Sequence, residues 1–301
     1  MGHRANYALR QGGDVTFGKN RWGALGIPDL LFGGFERVAD YVRSSQVEGA
    51  DRLYDNTDCE GCVLVDADER VVLFDGISEL LEESPLRQIA IAALRQDWPG
   101  WALRHAQRGI LDVGEHLALD ADTMRRLGSD GPLYHNVDEE DVVDPKYPQN
   151  RGSARTEVIV AGPDRTSSYL SEHAATALLA YGPRMTVLLE AAPAAAIGLG
   201  QKLHAVIEVA HHSQTLALWQ DVPEYRALER VRSSWPSWKV RAADARAAGA
   251  ISQHPTALSL SETEALAAVE RFASRSGQER AGEMGERALA ALSEIRRARA
   301  G

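Results

Sequence analysis

Residues 98–105 read Trp98-Pro99-Gly100-Trp101-Ala102-Leu103-Arg104-His105, and residues 235–242 read Trp235-Pro236-Ser237-Trp238-Lys239-Val240-Arg241-Ala242. Both segments begin with Trp-Pro-x-Trp and continue as a short strand-like run. Four of the six tryptophans of the chain lie in these two segments, so chance is a poor explanation for the match. A match of this kind indicates an internal repeat, which has to be recognised before the fold is assigned.

The similarity extends towards the N-terminus from both tryptophan segments. Each is preceded by an apolar helical pattern that opens just after a proline, Pro85 in one case and Pro223 in the other, and proline favours the first turn of a helix. Runs rich in β-branched residues on either side of short polar turns predict hairpins. The predicted hairpins cover residues 4–17, 63–74, 157–170 and 206–219, and further helices are predicted at 35–43 and 184–190.

These patterns predict an α+β fold built from two tandem, diverged copies of one hairpin–helix–hairpin–helix–strand unit. Because the strands of the hairpins run antiparallel and alternate in polarity, we expect a mainly antiparallel sheet in each copy, with helices on one face. Two such copies would pair most simply about a pseudo-twofold axis, as the subunits of isologous dimers do.

The predicted domain boundaries follow from composition. Residues 1–118 form the first repeat unit and residues 154–254 the second. Residues 119–153 are rich in glycine and proline and contain the acidic run Asp138-Glu139-Glu140-Asp141, which predicts a linker. Residues 255–301 begin with a capping-box pattern and carry apolar residues at helical spacing, so we expect a C-terminal helical tail that packs on the body or mediates homo-oligomerisation.

The charge is concentrated in the first half of the chain. Of the net charge of −10, residues 1–118 contribute 12 basic and 19 acidic side chains, a net charge of −7. An acidic surface repels phosphate backbones, so we expect no nucleic-acid partner. The sequence has no apolar run long enough to span a membrane and no signal core, and it has only two cysteines. We therefore expect no membrane association and a cytoplasmic location.

Two groups of potential metal ligands are weak candidates. Cys59 and Cys62 form a single CxxC that precedes a strand, whereas redox CxxC motifs lie at a helix N-terminus and structural zinc sites need two more ligands. His204 and Glu208 share one face of a predicted strand, and two further histidines follow in the turn at 211–212. We interpret the thiols as structural and predict neither a metal nor a cofactor.

The candidate site lies instead on strand positions of the first copy. Glu60 or Asp58 would act as a general base and Arg4 would bind an anionic group. Asn6, His3 and Trp22 are the expected ligand-binding residues. At the aligned positions of the second copy we find Arg155, Glu157, Gln201 and Leu203, so the first copy has the more polar set. The competing interpretation is an ion pair on the solvent face of a sheet.

The opening Met-Gly-x-Arg-Ala-Asn, together with the later Trp-Pro-Gly-Trp, resembles a family of uncharacterised hypothetical proteins from high-GC bacteria. The usage of 29 arginines against 4 lysines fits such a source. The resemblance covers mainly residues 1–118, and it implies no activity and no site.

The sequence leaves two functional hypotheses. The first is a non-catalytic binding or regulatory protein, of the immunity type or ligand-binding, whose acidic N-terminal half suits a protein partner or a small molecule. It is favoured because no GxxxxGK[ST], GxSxG or HExxH motif occurs in the sequence. The alternative is a metal-independent acid/base enzyme with its site in the first repeat, near the seam between the repeats.

Overall fold

The structure is a computed structural model that divides the chain into two compact units. Among the described residues, those up to 128 and residues 223–225 belong to the first unit, and the other residues from 156 to 254 belong to the second. The predicted tail and most of the predicted linker lie outside the described residues. The structure describes residues 3–76, 91, 94–128, 156–162, 165–171, 173–192, 203–221 and 223–254.

The first unit contains a six-stranded mixed sheet. Its strands are β1 Ala5–Gln11, β2 Asp14–Asn20, β3 Gln46–Val47, β4 Gly61–Asp66, β5 Val71–Gly76 and β6 Ala102–His105. They lie in the order β3-β2-β1-β4-β5-β6. The two hairpins β1–β2 and β4–β5 are antiparallel, as the sequence predicts, but β1 pairs with β4 in parallel and β5 pairs with β6 in parallel.

The second unit contains a five-stranded mixed sheet. Its strands are β7 Thr156–Ala161, β8 Thr166–Ser171, β9 Ala205–Ala210, β10 Thr215–Gln220 and β11 Lys239–Ala242. They lie in the order β11-β10-β9-β7-β8. Here too the hairpins are antiparallel, while the pairs β7–β9 and β10–β11 are parallel. Apart from the short edge strand β3, the two sheets therefore have the same strand order and the same strand directions.

The α+β class is thus confirmed, and both sheets are mixed: three of five strand pairs are antiparallel in the first sheet and two of four in the second. The hairpin turns determine only which neighbouring segments pair antiparallel. Two hairpins can be joined side by side only by a long-range pairing, and in both sheets the first strand of one hairpin lies parallel to the first strand of the next.

Helices cover both faces of each sheet, so the expectation of helices on one face is wrong. The described α-helices are α1 Ile27–Leu31, α2 Gly34–Ser44, α3 Ile110–His116, α4 Ala121–Gly128, α5 Ala175–Leu179, α6 Met185–Ala191, α7 Ala227–Ser234 and α8 Ala245–Ile251. In β1, Tyr7 meets Tyr41 of α2 on one face, with ring centroids 5.0 Å apart. The next residue, Ala8, belongs to a buried cluster with Ile110 of α3 and Leu127 of α4 on the other face.

The second sheet is covered in the same way. One face packs on α5, α6 and α7, with Val158 and Ile207 in the same buried cluster as Leu178 and Val231. On the opposite face, a smaller cluster joins β7 and β9 to α8. The central strands are consequently buried on both faces. A sequence in which apolar and polar residues alternate predicts a strand that is buried on one face only.

The two tryptophan segments occupy equivalent places in their units. Trp98 and Trp235 are buried, and each donates its indole N–H to the carbonyl of the last residue of the first helix of its unit. The acceptors are Leu31 and Leu179, and both distances are 2.8 Å. The second tryptophan of each segment meets the first edge-on. Each bond therefore links the segment before the last strand of a sheet to the end of the first helix of that unit.

Residues 121–128, which composition assigned to the linker, form α4. Leu127 of this helix is fully buried in the first unit, because α4 helps to cover the second face of the sheet. None of the helices in the described ranges is long and apolar enough to cross a membrane.

Candidate functional site at the strand ends of the first sheet

Parallel pairing places the starts of β1 and β4 next to each other. Ala5 is the register partner of Gly61, so the residues just before these two strands meet at one edge of the sheet. The backbone N–H of Glu60 donates to the carbonyl of Arg4, 2.9 Å away, and extends the ladder by one residue. Side chains more than fifty positions apart in sequence are thereby brought together.

An arginine–carboxylate ion pair and a histidine–carboxylate contact form at this edge. Arg4 Nη1 donates to Asp58 Oδ1 at 2.7 Å, and His3 Nδ1 lies 3.2 Å from Glu60 Oε2. The His3 and Glu60 side chains are each 40% exposed, and those of Arg4 and Asp58 are 35% and 54% exposed. Four of the six predicted site residues thus contact one another on a solvent-facing edge. Because Asp58 already occupies the guanidinium, anion binding by Arg4 would require that pair to open.

Asn6 lies beneath this edge and is fully buried. Its side-chain amide binds the backbone of Tyr54 in both directions, donating to the carbonyl at 2.8 Å and accepting from the N–H at 2.9 Å. It also donates to Cys59 Sγ at 3.2 Å. Asn6 therefore fixes the loop between β3 and β4 in position and supports the site from below.

The tyrosine held by Asn6 is a site residue that the sequence analysis missed. The Tyr54 ring receives two cations, with Lys19 Nζ 4.9 Å and Arg4 Cζ 5.8 Å from its centroid. No motif surrounds Tyr54 in the sequence. Only the pairing of Asn6 with a loop 48 residues later, which is a tertiary contact, brings it to the strand ends.

Trp22 extends the same surface and is 59% exposed. Its backbone N–H donates to the side-chain oxygen of Asn20 at 2.8 Å. The Arg21 guanidinium lies 5.7 Å from the centre of the indole, and the His3 ring approaches it edge-on with centroids 6.4 Å apart. An indole with this exposure, placed between two cationic or ionisable side chains, is suited to contact with another molecule.

The backbone next to Trp22 rests on a buried tyrosine. A side-chain carbon added at Gly23 would lie 2.1 Å from the Tyr7 hydroxyl, so only glycine fits there. Burial, with the neighbouring Tyr41 hydroxyl, raises the pKa of Tyr7 well above its usual range. Tyr7 is therefore a neutral structural support and takes no part in proton transfer at neutral pH.

Of the two free cysteines below this edge, Cys62 is buried and Cys59 is half-buried. Cys59 Sγ donates to the carbonyl of Gly61 at 3.0 Å. Burial raises the pKa of Cys59 to about 12 and also raises the pKa of Cys62. Since the thiolate is the reactive form, neither thiol has the properties of a redox or nucleophilic cysteine.

In the second unit, the histidine cluster is not gathered into a metal site. His204 Nδ1 lies 3.8 Å from Asp221, Glu208 lies 3.5 Å from Arg241, and the ring of His211 packs edge-on against Trp238. Within the described part of the chain, none of these belongs to a group of three potential ligands with converging atoms.

The sheet register allows the two units to be compared position by position. Asn6 of β1 corresponds to Glu157 of β7, since each is the second residue of its strand in the same ladder. Glu157 is also fully buried and accepts from Ser168, Ser252 and the backbone N–H of Gln253. By the same register, the residue of the second unit that corresponds to Glu60 is His204 and not Leu203. Arg155 and Gln201 lie outside the described residues.

Comparisons with known proteins return no relative. No protein-family model, no curated protein and no solved structure matches this chain.

Proposed function

We propose that this chain is a non-catalytic binding protein whose contact surface is the strand-end patch, defined as His3, Arg4, Trp22, Tyr54, Asp58 and Glu60. The observation that carries the proposal is the exposure of Trp22, 59% of which faces solvent on a well-supported backbone. Tryptophan, tyrosine and arginine are the residues that most often dominate the binding energy of protein interfaces. A protein partner is therefore favoured over a small molecule.

The charge of the first repeat indicates what kind of protein would bind. Within the patch, Arg4 is paired with Asp58 and His3 lies beside Glu60, so the patch has a net charge of −1 when the imidazole of His3 is neutral. The surrounding residues 1–118 have a net charge of −7. Complementary charge raises association rates and disfavours wrong partners. A basic protein fits this surface, and binding such a partner is consistent with an immunity-type or regulatory role. A cytoplasmic location remains part of the proposal.

A photo-crosslinking experiment tests the proposal directly. The photoreactive residue p-benzoylphenylalanine is placed at position 22 in one variant and at position 187 in another, because Val187 is 65% exposed but lies in the second unit. We expect one discrete crosslinked protein from position 22 in cells of the source organism. With that protein purified, Trp22→Ala should weaken binding by about tenfold or more, as loss of an interface anchor does, and Val187→Ala should not. Identical crosslinks from both positions, or unchanged binding by Trp22→Ala, would overturn the proposal.

We infer further that the two units arose by duplication of one ancestral unit. The shared order and directions of five strands in each sheet support this, as do the matching indole hydrogen bonds to Leu31 and Leu179. Backbone conformation agrees as well. Gly34 and Gly182, each three residues beyond the indole acceptor, have φ of +70° and +59°. A crystal structure with a different strand order in either sheet would remove this inference.

Self-association through residues 255–301 is also part of the proposal, although that segment lies outside the described residues. Light scattering on the full chain and on a chain ending at residue 254 decides it. If light scattering gives the mass of a monomer for both chains, a role of the tail in oligomerisation is contradicted.

One observation favours an enzyme as a second candidate. The 3.2 Å approach of His3 Nδ1 to Glu60 Oε2 gives a half-exposed histidine–carboxylate pair, the arrangement used for general base catalysis. Such an enzyme would lose turnover in Glu60→Gln without a change in thermal stability. If purified protein with a defined substrate keeps its turnover in that variant, the catalytic hypothesis fails.

A further inference from the structure

A second group of ionisable side chains lies at the opposite end of β1 and β4 from the strand-end patch. Asp66 is the last residue of β4, Glu69 lies in the turn to β5, and His116 is the last residue of α3. His116 Nε2 lies 2.7 Å from Asp66 Oδ2 and 4.0 Å from Glu69 Oε2. One ligand atom from each of these residues lies within 4.8 Å of the others.

Two of the three side chains are held in place before any ligand arrives. The Asp66 side chain is fully buried, and its Oδ1 accepts the backbone N–H groups of Asp68 and Glu69, both at 3.0 Å. This fixes Oδ2 towards His116, whose side chain is only 5% exposed. Glu69, in contrast, is 56% exposed. The group is thus rigid on its inner side and open to solvent on its outer side.

The charges in this group do not balance. Arg10 contacts three carboxylates, Asp66 at 3.3 Å, Asp68 at 3.7 Å and Glu69 at 3.5 Å. One guanidinium against three carboxylates leaves a net charge of −2 when the imidazole of His116 is neutral. A divalent cation would cancel it.

We propose that Asp66, Glu69 and His116 form a binding site for a divalent transition-metal ion of the zinc class. An imidazole nitrogen and carboxylate oxygens are the donors that zinc accepts, and three protein ligands leave one tetrahedral position for water. The ion takes the place of the proton between His116 Nε2 and Asp66 Oδ2, so binding needs the His116 tautomer that is protonated on Nδ1. Arg10 gives up its contact with Asp66 and keeps those with Asp68 and Glu69 Oε1.

Two other clusters were weaker candidates for such a site. The thiols of Cys59 and Cys62 remain protonated at neutral pH because burial raises their pKa. His105 lies 3.2 Å from Asp75, but within the described residues no third ligand atom converges on that pair. That pair is therefore a suitable control, since it offers a histidine and a carboxylate without a third ligand.

Isothermal titration of the metal-free full chain with Zn²⁺ tests the site. We expect one site that binds Zn²⁺ more tightly than any other. Its affinity should fall by more than about tenfold in Glu69→Gln and in His116→Gln, because loss of even an outer partner of a metal ligand lowers affinity by that much. His105→Gln should bind Zn²⁺ as the wild type does. Because His116 is buried and its variant could misfold, the exposed Glu69→Gln decides the outcome.

Substitution of Zn²⁺ by Co²⁺ gives a second readout. A visible absorption band of four-coordinate cobalt should appear in the wild type and in His105→Gln and be lost in Glu69→Gln. The proposal would be overturned if no site binds Zn²⁺ more tightly than the other histidines of the chain do. It would also be overturned if the wild type and Glu69→Gln bind Zn²⁺ with equal affinity. Neither result bears on the strand-end patch, whose test uses different residues.

Discussion

The indole N–H of Trp98 donates to the backbone carbonyl of Leu31, 2.8 Å away and 67 residues earlier in the chain. Trp235 makes the same bond to Leu179 at the same distance. Each bond joins the segment before the last strand of a sheet to the end of the first helix of that unit. Since both indoles are buried, these contacts stabilise the fold and do not form a ligand platform.

The first prediction concerns these two bonds. Trp98→Phe and Trp235→Phe each keep an aromatic ring but remove the donor, which leaves a buried carbonyl without that partner. Each substitution should lower the free energy of unfolding by at least ~1 kcal/mol, measured by urea denaturation followed by circular dichroism.

Trp22→Phe is the matched control for this pair, because the Trp22 ring is exposed and its change should stay within about 0.5 kcal/mol. Wild-type stability in both Trp98→Phe and Trp235→Phe would show that the indole bonds do not stabilise the units.

The second prediction concerns the close approach of Gly23 to Tyr7. In Gly23→Ala, the new methyl group would lie 2.1 Å from the Tyr7 hydroxyl. The ring is buried and cannot move freely, so we expect a loss of about 1–3 kcal/mol, the usual cost of overpacking. The added substitution Tyr7→Phe removes the clashing atom and should recover part of that loss.

Gly26→Ala is the control for this experiment. A side-chain carbon at Gly26 meets nothing within 4 Å, and its φ of −89° suits any residue, so its stability should stay within about 0.5 kcal/mol of wild type. Additive effects of Gly23→Ala and Tyr7→Phe, with no recovery, would contradict the proposed clash.

Much of the fold is predictable from local patterns. The hairpins that include Val63 and Val206 and the strands after Trp101 and Trp238 lie where the sequence places them. Short turns and β-branched runs act over a few residues, so a single sequence reveals them. The parallel pairing of Ala5 with Gly61 is set by contacts far apart in the chain, and no local pattern records it.

The helices on the second face of the first sheet were not predicted, for a different reason. Asn6 and Arg10 share a face of β1 with the small residue Ala8, and two polar residues out of three suggest a solvent face. In fact Asn6 satisfies its polar groups by binding the backbone of Tyr54, and Arg10 does so by binding Asp66. Buried polar residues with internal partners look like surface residues until those partners are known.

Only part of the candidate site could be predicted, because the rest depends on contacts between residues far apart in the chain. Arg4, Asp58 and Glu60 stand out as polar residues beside strands, and the structure brings them together. Tyr54 comes from a loop without a motif. His116 lies fifty residues beyond Asp66, and only the packing of α3 on the sheet brings the two together.

The third prediction concerns thiol reactivity. Because burial raises the pKa of Cys59 to about 12 and that of Cys62 as well, the folded protein should react very slowly with iodoacetamide at pH 8. In urea both thiols should react at the rate of free cysteine. Mass spectrometry of intact protein follows the reaction, and rapid labelling of either thiol in the folded state would contradict the raised pKa of that thiol.

The fourth prediction is a loss of stability at alkaline pH. In the unfolded chain the Cys59 thiol ionises near its ordinary pKa of 9.0, whereas in the folded chain it keeps its proton until about pH 12. Between these two values the unfolded state binds fewer protons than the folded state, so the free energy of unfolding falls as pH rises. The stability that burial of the neutral thiol allows is fully present below pH 9.

Cys59→Ser tests this prediction because serine keeps a donor for the Gly61 carbonyl but does not ionise in this range. Urea midpoints at pH 8, 9 and 10 should fall steadily in the wild type and fall less in Cys59→Ser. The slope should not vanish, because burial also raises the pKa of Cys62 and of Tyr7. Equal slopes in the two proteins would mean that Cys59 ionises as readily in the folded state as in the unfolded one, and the raised pKa assigned to it beneath the strand-end patch would then be wrong.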